Sequence, residues 1–286
     1  MERELWPIVC RALRATARDV SQKCVRHQPG AVAAVLLWAA LHDRPVSWAC
    51  DARNRATTRL RPAELPSAAT VSRRAARPGF AVFLNHLAAR LKGDGPPAWE
   101  LLADGKPLPV GRCSKDPDAR GGHPGRGYKP HAVWGDKVLP EAWEVTAMRE
   151  YEGAVAERLP TQVRGKGVLL GDGNYEAGRL YDAAAASGYQ LLAPPDARDT
   201  GVGHRYRSPH RRRALDRFAD GLGWALYRGR TAIERLFGNA GSFGGGLGPL
   251  PNWVRRRGRV ERWVWCKLVV NAARILYRRQ QKQRLQ

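Results

Sequence analysis

Val168-Leu169-Leu170-Gly171-Asp172-Gly173-Asn174-Tyr175 is the stretch from which the fold of this chain is read. Three consecutive aliphatic residues ahead of a glycine suit a short strand buried on both faces. Asp172 follows that run with a glycine on either side. An acid so placed, at the end of a buried strand, can face a ligand that comes close to the backbone. Working outward, a helix is predicted over Ala177–Ser187, closed by Gly188, and a further strand over Tyr189–Ala193. Upstream, strands are predicted over Trp99–Ala103, Pro107–Val110, Tyr128–Trp134 and Ala142–Ala147, with a helix over Tyr151–Leu159. Asp136, in Trp134-Gly135-Asp136-Lys137, reads as a hairpin turn. Downstream of a polar, arginine-rich stretch, a helix is predicted over Trp224–Asn239. Strands alternating with helices after an initial meander imply an α/β sheet covered by helices. A ribonuclease-H-like sheet has this order, although order alone does not establish that fold.

The flanks read differently. Residues up to about Leu91 are helical in pattern, with Ala31–Leu41 as a buried helix broken by His42-Asp43-Arg44-Pro45. A short helix begins at Val46, and Ser67 looks like the cap of another over Ala68–Ala76. That last helix carries Thr70, Ser72, Arg73 and Arg74, which would suit the groove-reading helix of a helix-turn-helix; an ordinary helical bundle with a basic surface is the alternative. Lys92-Gly93-Asp94-Gly95-Pro96-Pro97 is a linker by composition. After Gly244-Gly245-Gly246 a long amphipathic helix is predicted from about Val254 to Arg279, with Val260, Val264, Leu268, Ala272, Ile275 and Leu276 on one stripe and arginines around it.

Charge narrows the partners. The chain of 286 residues carries 49 Lys and Arg against 26 Asp and Glu, a formal net charge of +23. Such a chain repels itself unless an anion screens it, and nucleic acid does so with release of condensed counterions. The five cysteines (Cys10, Cys24, Cys50, Cys113, Cys266) are odd in number and form no C-x-x-C pair. That argues against a disulfide framework or a structural zinc site and fits a reducing compartment. The longest apolar run, Ala31–Leu41, is too short to span a bilayer, and the first residues do not resemble a signal peptide. The expected location is cytoplasmic, at the nucleoid, with no membrane partner.

Three acids stand out in context. Asp104 closes the run Trp99–Ala103 and precedes Gly105-Lys106; Asp172 ends the next buried run; Glu234 lies in Ala232-Ile233-Glu234-Arg235-Leu236-Phe237 on a predicted helix. Phosphoryl transfer on DNA uses metal ions about 3.5–4 Å apart, held by a few carboxylates at strand ends and on a supporting helix. Each acid alone could be a turn former, a cap or a surface ion pair. Together, in this order, they point to one site.

These segments, with Gly127-Tyr128-Lys129-Pro130-His131 and Tyr227–Gly241, resemble the DDE transposases of bacterial insertion sequences. One branch of that family carries a tyrosine, an arginine, the catalytic glutamate and a lysine at fixed spacing. Tyr227, Arg230 and Glu234 match it, and Gly241 stands at the lysine position. The resemblance implies a ribonuclease-H-like mixed sheet with flanking helices, Mg2+ (with Mn2+ as a substitute) held by Asp104, Asp172 and Glu234, and catalysis by the same three residues. It implies double-stranded DNA as partner, at terminal inverted repeats and at a target, with a homodimer on the DNA. Tyr227 and Arg230 match family residues that contact phosphates near the cut end; Lys106, Lys129, Arg73 and Arg74 are further DNA-contact candidates. His131 could be a metal ligand or a general base, but a histidine on a strand is more often a packed or surface residue, and it is left out of the site. The expected organisation is a helical DNA-binding domain over residues 1–95, a catalytic domain over 96–250, and a basic C-terminal helix over 251–286 packing on the catalytic domain. The departure at Gly241 keeps a second expectation, a transposase decayed into a sequence-specific DNA-binding protein. A third is a metal nuclease that does not join ends.

Overall fold

A computed structural model describes residues 2–22, 25–55, 64–150, 152–195 and 208–286. Cys24, the first residue of the helix expected from Tyr151, and most of the arginine-rich stretch after Ala193 lie outside the described residues. The chain divides into two units, one made of residues 1–94 and 239–286, the other of residues 95–238.

The first unit is helical: α1 (Glu2–Asp19), α2 (Pro29–Leu41), α3 (Val46–Ala49), α4 (Ala68–Ala75), α5 (Pro78–Lys92) and, from the other end of the chain, the long C-terminal helix. Helix α2 is apolar all round because it is buried all round, with α1, α3, α4 and α5 against it. Ser67 caps α4 as expected, its hydroxyl accepting the Thr70 N–H at 3.2 Å. Val71 and Ala75 turn inward, Arg73 is exposed, and Arg74 donates to the Gln22 side chain at 2.5 Å.

The second unit holds the sheet. Its elements are β1 (Glu100–Gly105), β2 (Leu108–Pro109), β3 (Arg120–Gly121), β4 (Arg126–Trp134), β5 (Ala142–Ala147), α6 (Glu152–Arg158), β6 (Gly167–Leu170), α7 (Gly178–Ala186), β7 (Tyr189–Leu192), α8 (Pro209–Ala219), α9 (Leu222–Tyr227) and α10 (Thr231–Gly241), within which the chain leaves the unit. The path across the sheet is β2-β4-β1-β6-β7, with β3 and β5 also pairing with β4. β1 runs antiparallel to β4 and parallel to β6, and β6 runs parallel to β7. This is the mixed α/β sheet with flanking helices that was expected. Leu101, Leu102 and Ala103 on β1 and Val168, Leu169 and Leu170 on β6 are all buried, as the unbroken apolar runs of parallel strands covered on both faces require. Asp136 lies, as expected, in the hairpin connection between antiparallel β4 and β5, which spans residues 135–141, and Trp134 Nε1 donates to Lys137 O across it at 3.1 Å.

Helix α11 (Arg257–Arg284) packs on α1 and α2, so the helical unit is built from both ends of the chain. The sequence led us to expect this helix on the catalytic domain; α1 and α2 provide the described packing. Its residues from Trp263 to Ala273 are buried on every side, a wider band than the single stripe read from the sequence. Lys267, 1% exposed, explains how that band tolerates a charge. Its ammonium donates to Ala40 O at 2.6 Å, Gly245 O at 3.0 Å and Asp43 Oδ1 at 2.5 Å, so all three donors are used. No helix of the described residues is long and apolar enough to cross a membrane.

Candidate active site

The site grows from one register. Leu102 of β1 stands opposite Leu170 of the parallel β6. Continued by two residues on each strand, that register sets Asp104 beside Asp172, on the same face of the sheet because side chains alternate with period two. Asp104 is still within β1, where its Oδ1 accepts the Gly105 N–H at 2.7 Å. Asp172 begins a tight turn over Gly173–Tyr175, its Oδ1 accepting the Asn174 N–H at 2.9 Å. That local bond is why aspartate suits the position: a short carboxylate accepts the backbone N–H two residues on.

The third acid arrives on α10. Ile233, Phe237 and Ala240 are buried at helical spacing, and the Phe237 ring meets Trp134 of β4 edge-on at 5.9 Å. Lys106, just past β1, donates from Nζ to Phe237 O at 3.2 Å, tying the helix to the strand that carries Asp104. Between α9 and α10 the chain makes a 3-10 turn over Arg228–Arg230 rather than one continuous α-helix. Tyr227 ends α9 in a cluster with Phe218 and Trp224, each ring 6.1 Å away.

Arg230 ties the three acids together. Its guanidinium lies 2.9 Å from Glu234 Oε1, 3.4 Å from Asp104 Oδ2 and 3.9 Å from Asp172 Oδ2. The structure thus brings together Asp104, Asp172, Glu234 and Arg230, with Tyr227 close by. Arg230 is 14% exposed, whereas Glu234 is 68% exposed and reaches in from solvent. Burial raises the Asp104 pKa above its ordinary value, and the Asp172 charge adds to that; the Gly105 N–H, Arg230 and Lys129 oppose it. Tyr227 is likewise pushed up, by burial first and by the three acids after it.

The other candidates are placed variously. Lys129 pairs with Glu152 and is close enough to Asp104 to lower its pKa. Lys106 has its ammonium committed to the Phe237 carbonyl, and burial lowers its pKa. Arg73 and Arg74 belong to α4 of the helical unit. His131, expected as a packed or surface residue, is buried; it shares a hydrogen bond of 3.0 Å with Thr146 Oγ1, and burial drives its pKa down to about 4. Two participants were not read from the sequence. Glu152 at the start of α6 neutralises Lys129, and Tyr175 lies buried where Asp104 and Asp172 help burial to raise its pKa. The Asp172-Gly173-Asn174 turn was the available signal for Tyr175; nothing local signals Glu152.

Chemically, three hard carboxylate oxygens converging on one cation are the donor set that Mg2+ or Mn2+ prefers. Among the described residues no group of three or more His, Cys, Asp or Glu side chains is drawn close enough to hold a metal ion as it stands. The Arg230 guanidinium lies among these oxygens instead. The residues fit a divalent cation in kind and convergence, with Arg230 as the cation now among them.

No curated protein and no solved structure matches the chain. The family model described as the transposase DDE domain matches residues 95–247, more than half of the chain and all of the site. This chain therefore belongs to the transposase DDE domain family.

Proposed function

We propose that this protein hydrolyses DNA at the terminal inverted repeats of a mobile element and transfers the 3′ ends to target DNA. The convergence of carboxylates from two adjacent strands and one helix on a single cation carries this reading. Asp104, Asp172 and Glu234 would hold Mg2+, or Mn2+ in its place. Two such ions supply activation of the attacking water or 3′ hydroxyl and neutralisation of the leaving oxygen. Asp104 lies on a strand paired with β6, Asp172 just beyond β6, and each accepts a backbone N–H from a following residue, which anchors the two carboxylates beside one another. Glu234, the most exposed of the three, completes the set from α10 and is the acid most easily reoriented.

Tyr227 and Arg230 are proposed to meet phosphates beside the cut. Lys129 adds positive potential facing Asp104, and Lys106 contributes chiefly by holding α10 in place. The helical unit is proposed to grip the duplex. It contains 27 of the 49 Lys and Arg residues but only eight of the 26 acids, so most of the net charge lies there. Arg73 and Arg74 mark its α4 as a candidate contact. Residues 50–67 between α3 and α4 exceed the short turn of a compact helix-turn-helix, so α4 rather than that motif is the proposed reader. Bringing two element ends together implies a homodimer on DNA.

Gly241, which ends α10 where one branch of the family has lysine, supports a second reading as a decayed, DNA-binding transposase. One assay separates them: Mg2+-dependent nicking of labelled DNA that carries the flanking genomic repeats, with wild type beside Asp172→Asn. Nicking by wild type alone is expected. Binding without nicking by either protein would favour the decayed reading, and equal nicking by both would remove Asp172 from the site.

A further inference from the structure

We infer that Arg230 is the resident counter-ion of the acid cluster in the DNA-free protein, and that divalent metal loads weakly until this guanidinium is drawn off onto a DNA phosphate. The inference rests on the three acids being the metal site.

The geometry favours an exchangeable cation over a permanent strut. A structural arginine normally makes a two-pronged pair with one carboxylate and satisfies its remaining donors. Arg230 instead makes one close contact, to Glu234 at 2.9 Å, and two longer ones, to Asp104 at 3.4 Å and Asp172 at 3.9 Å. Its Nε is buried with no hydrogen-bond partner, so the guanidinium is imperfectly satisfied where it sits. The close contact is to the most exposed acid, where solvent screens the attraction. One guanidinium also leaves the cluster under-neutralised when all three acids are ionised, which attracts a more highly charged ion.

Arginine and metal cannot share this space. Magnesium binds oxygen at about 2.0–2.1 Å, whereas the guanidinium nitrogens hold the same oxygens at 2.9–3.9 Å. The acids must close inward for metal to bind, and Arg230 stands between them. Its backbone lies in the 3-10 turn that joins α9 to α10, directly after Gly229, and its long side chain can swing out without unravelling either helix. A phosphate beside the cut offers a stronger, bidentate partner. DNA and metal then favour each other's binding, because each removes an obstacle to the other.

The test measures Mn2+ affinity by titration calorimetry on the full chain, without DNA and therefore without any turnover. Arg230→Gln is expected to bind Mn2+ at least about tenfold more tightly than wild type, the scale of removing one nearby like charge at a partly screened site. Arg230→Lys, which retains the charge, is expected to stay near wild type and, with circular dichroism, guards against misfolding as the cause. Equal Mn2+ affinity in wild type and Arg230→Gln, lost in Asp172→Asn, would overturn the role of Arg230 and leave the metal site standing. Absence of Mn2+ binding in every variant would overturn both.

Discussion

Gly167→Ala is the single methyl group expected to do most damage to the strand pairing beneath the acids. Gly167 opens β6 at φ 150°, a conformation that side-chain-bearing residues rarely adopt. A Cβ there would lie 1.8 Å from Trp99 O, 2.6 Å from Trp99 C and 2.9 Å from Trp99 Cα, all backbone atoms that cannot rotate away. The same Trp99 carbonyl accepts the Val168 N–H at 2.8 Å, the bond that begins the pairing of β6 with β1. Holding alanine in this conformation costs about 1–3 kcal/mol, and loss of the ladder bond adds about 1 kcal/mol. A total of about 3 kcal/mol, divided by a urea dependence of about 2 kcal/mol per molar, lowers the unfolding midpoint by about 1.5 M. The assay is urea unfolding followed by far-ultraviolet circular dichroism and tryptophan fluorescence, with Gly173→Ala as control. Gly173 follows Asp172, yet beyond its chain neighbours nothing lies within 4 Å of the position its Cβ would take, and its φ is not positive. Its alanine variant should unfold near wild type. A Gly167→Ala midpoint within about 0.5 M of wild type, a change of only about 1 kcal/mol, would refute the argument that this glycine is required for the register of Asp104 and Asp172.

Two further outcomes follow from charge. An acid whose folded pKa is raised, as burial raises that of Asp104, is more protonated in the native than in the unfolded state between the two pKa values; its ionisation therefore costs stability as pH rises through that window. Asp104→Asn should consequently raise the melting temperature at neutral pH while abolishing metal-dependent cleavage; a lowered melting temperature would mean that attraction to Arg230 outweighs the desolvation of Asp104. His131 has the opposite sense. Burial, helped by the Lys129 charge, lowers its pKa from 6.5 to about 4, so the unfolded chain binds the extra proton and stability is lost as pH falls from about 6.5 to about 4, by about 3 kcal/mol in all. Acid titrations of wild type and His131→Gln should diverge over that interval, and parallel curves would remove His131 as the cause.

Local chemistry made much of the fold legible. β5 occupies Ala142–Ala147 as its pattern predicts, Ser67 caps α4, and Gly188, at φ 90°, follows the end of α7. Helix α8 was missed although its start is conventional, with Ser208 accepting the Arg211 N–H at 3.2 Å and proline next. The arginines from 211 to 213 masked the buried positions Ala214 and Phe218, and Arg211 itself is buried because Glu176 accepts from its Nε at 2.5 Å. A partner 35 residues away cannot be read from local polarity. The helix expected over Trp224–Asn239 is interrupted by a 3-10 turn for a similar reason: helical periodicity persists across the turn, and only the backbone reveals it.

The sequence by itself determined the kinds and order of the acids, the strands beside which two of them lie, and the preponderance of positive charge, because these depend on residue identity and short-range periodicity. Tertiary structure decided which charges meet. The pairing of Leu102 with Leu170 aligns Asp104 with Asp172, and the seating of α10 on Trp134 brings in Glu234 together with Arg230. Local pattern can predict that a strand ends in an acid, but strand register and helix placement are settled by burial and close packing across the whole unit. That is why the guanidinium among the carboxylates became visible only in three dimensions.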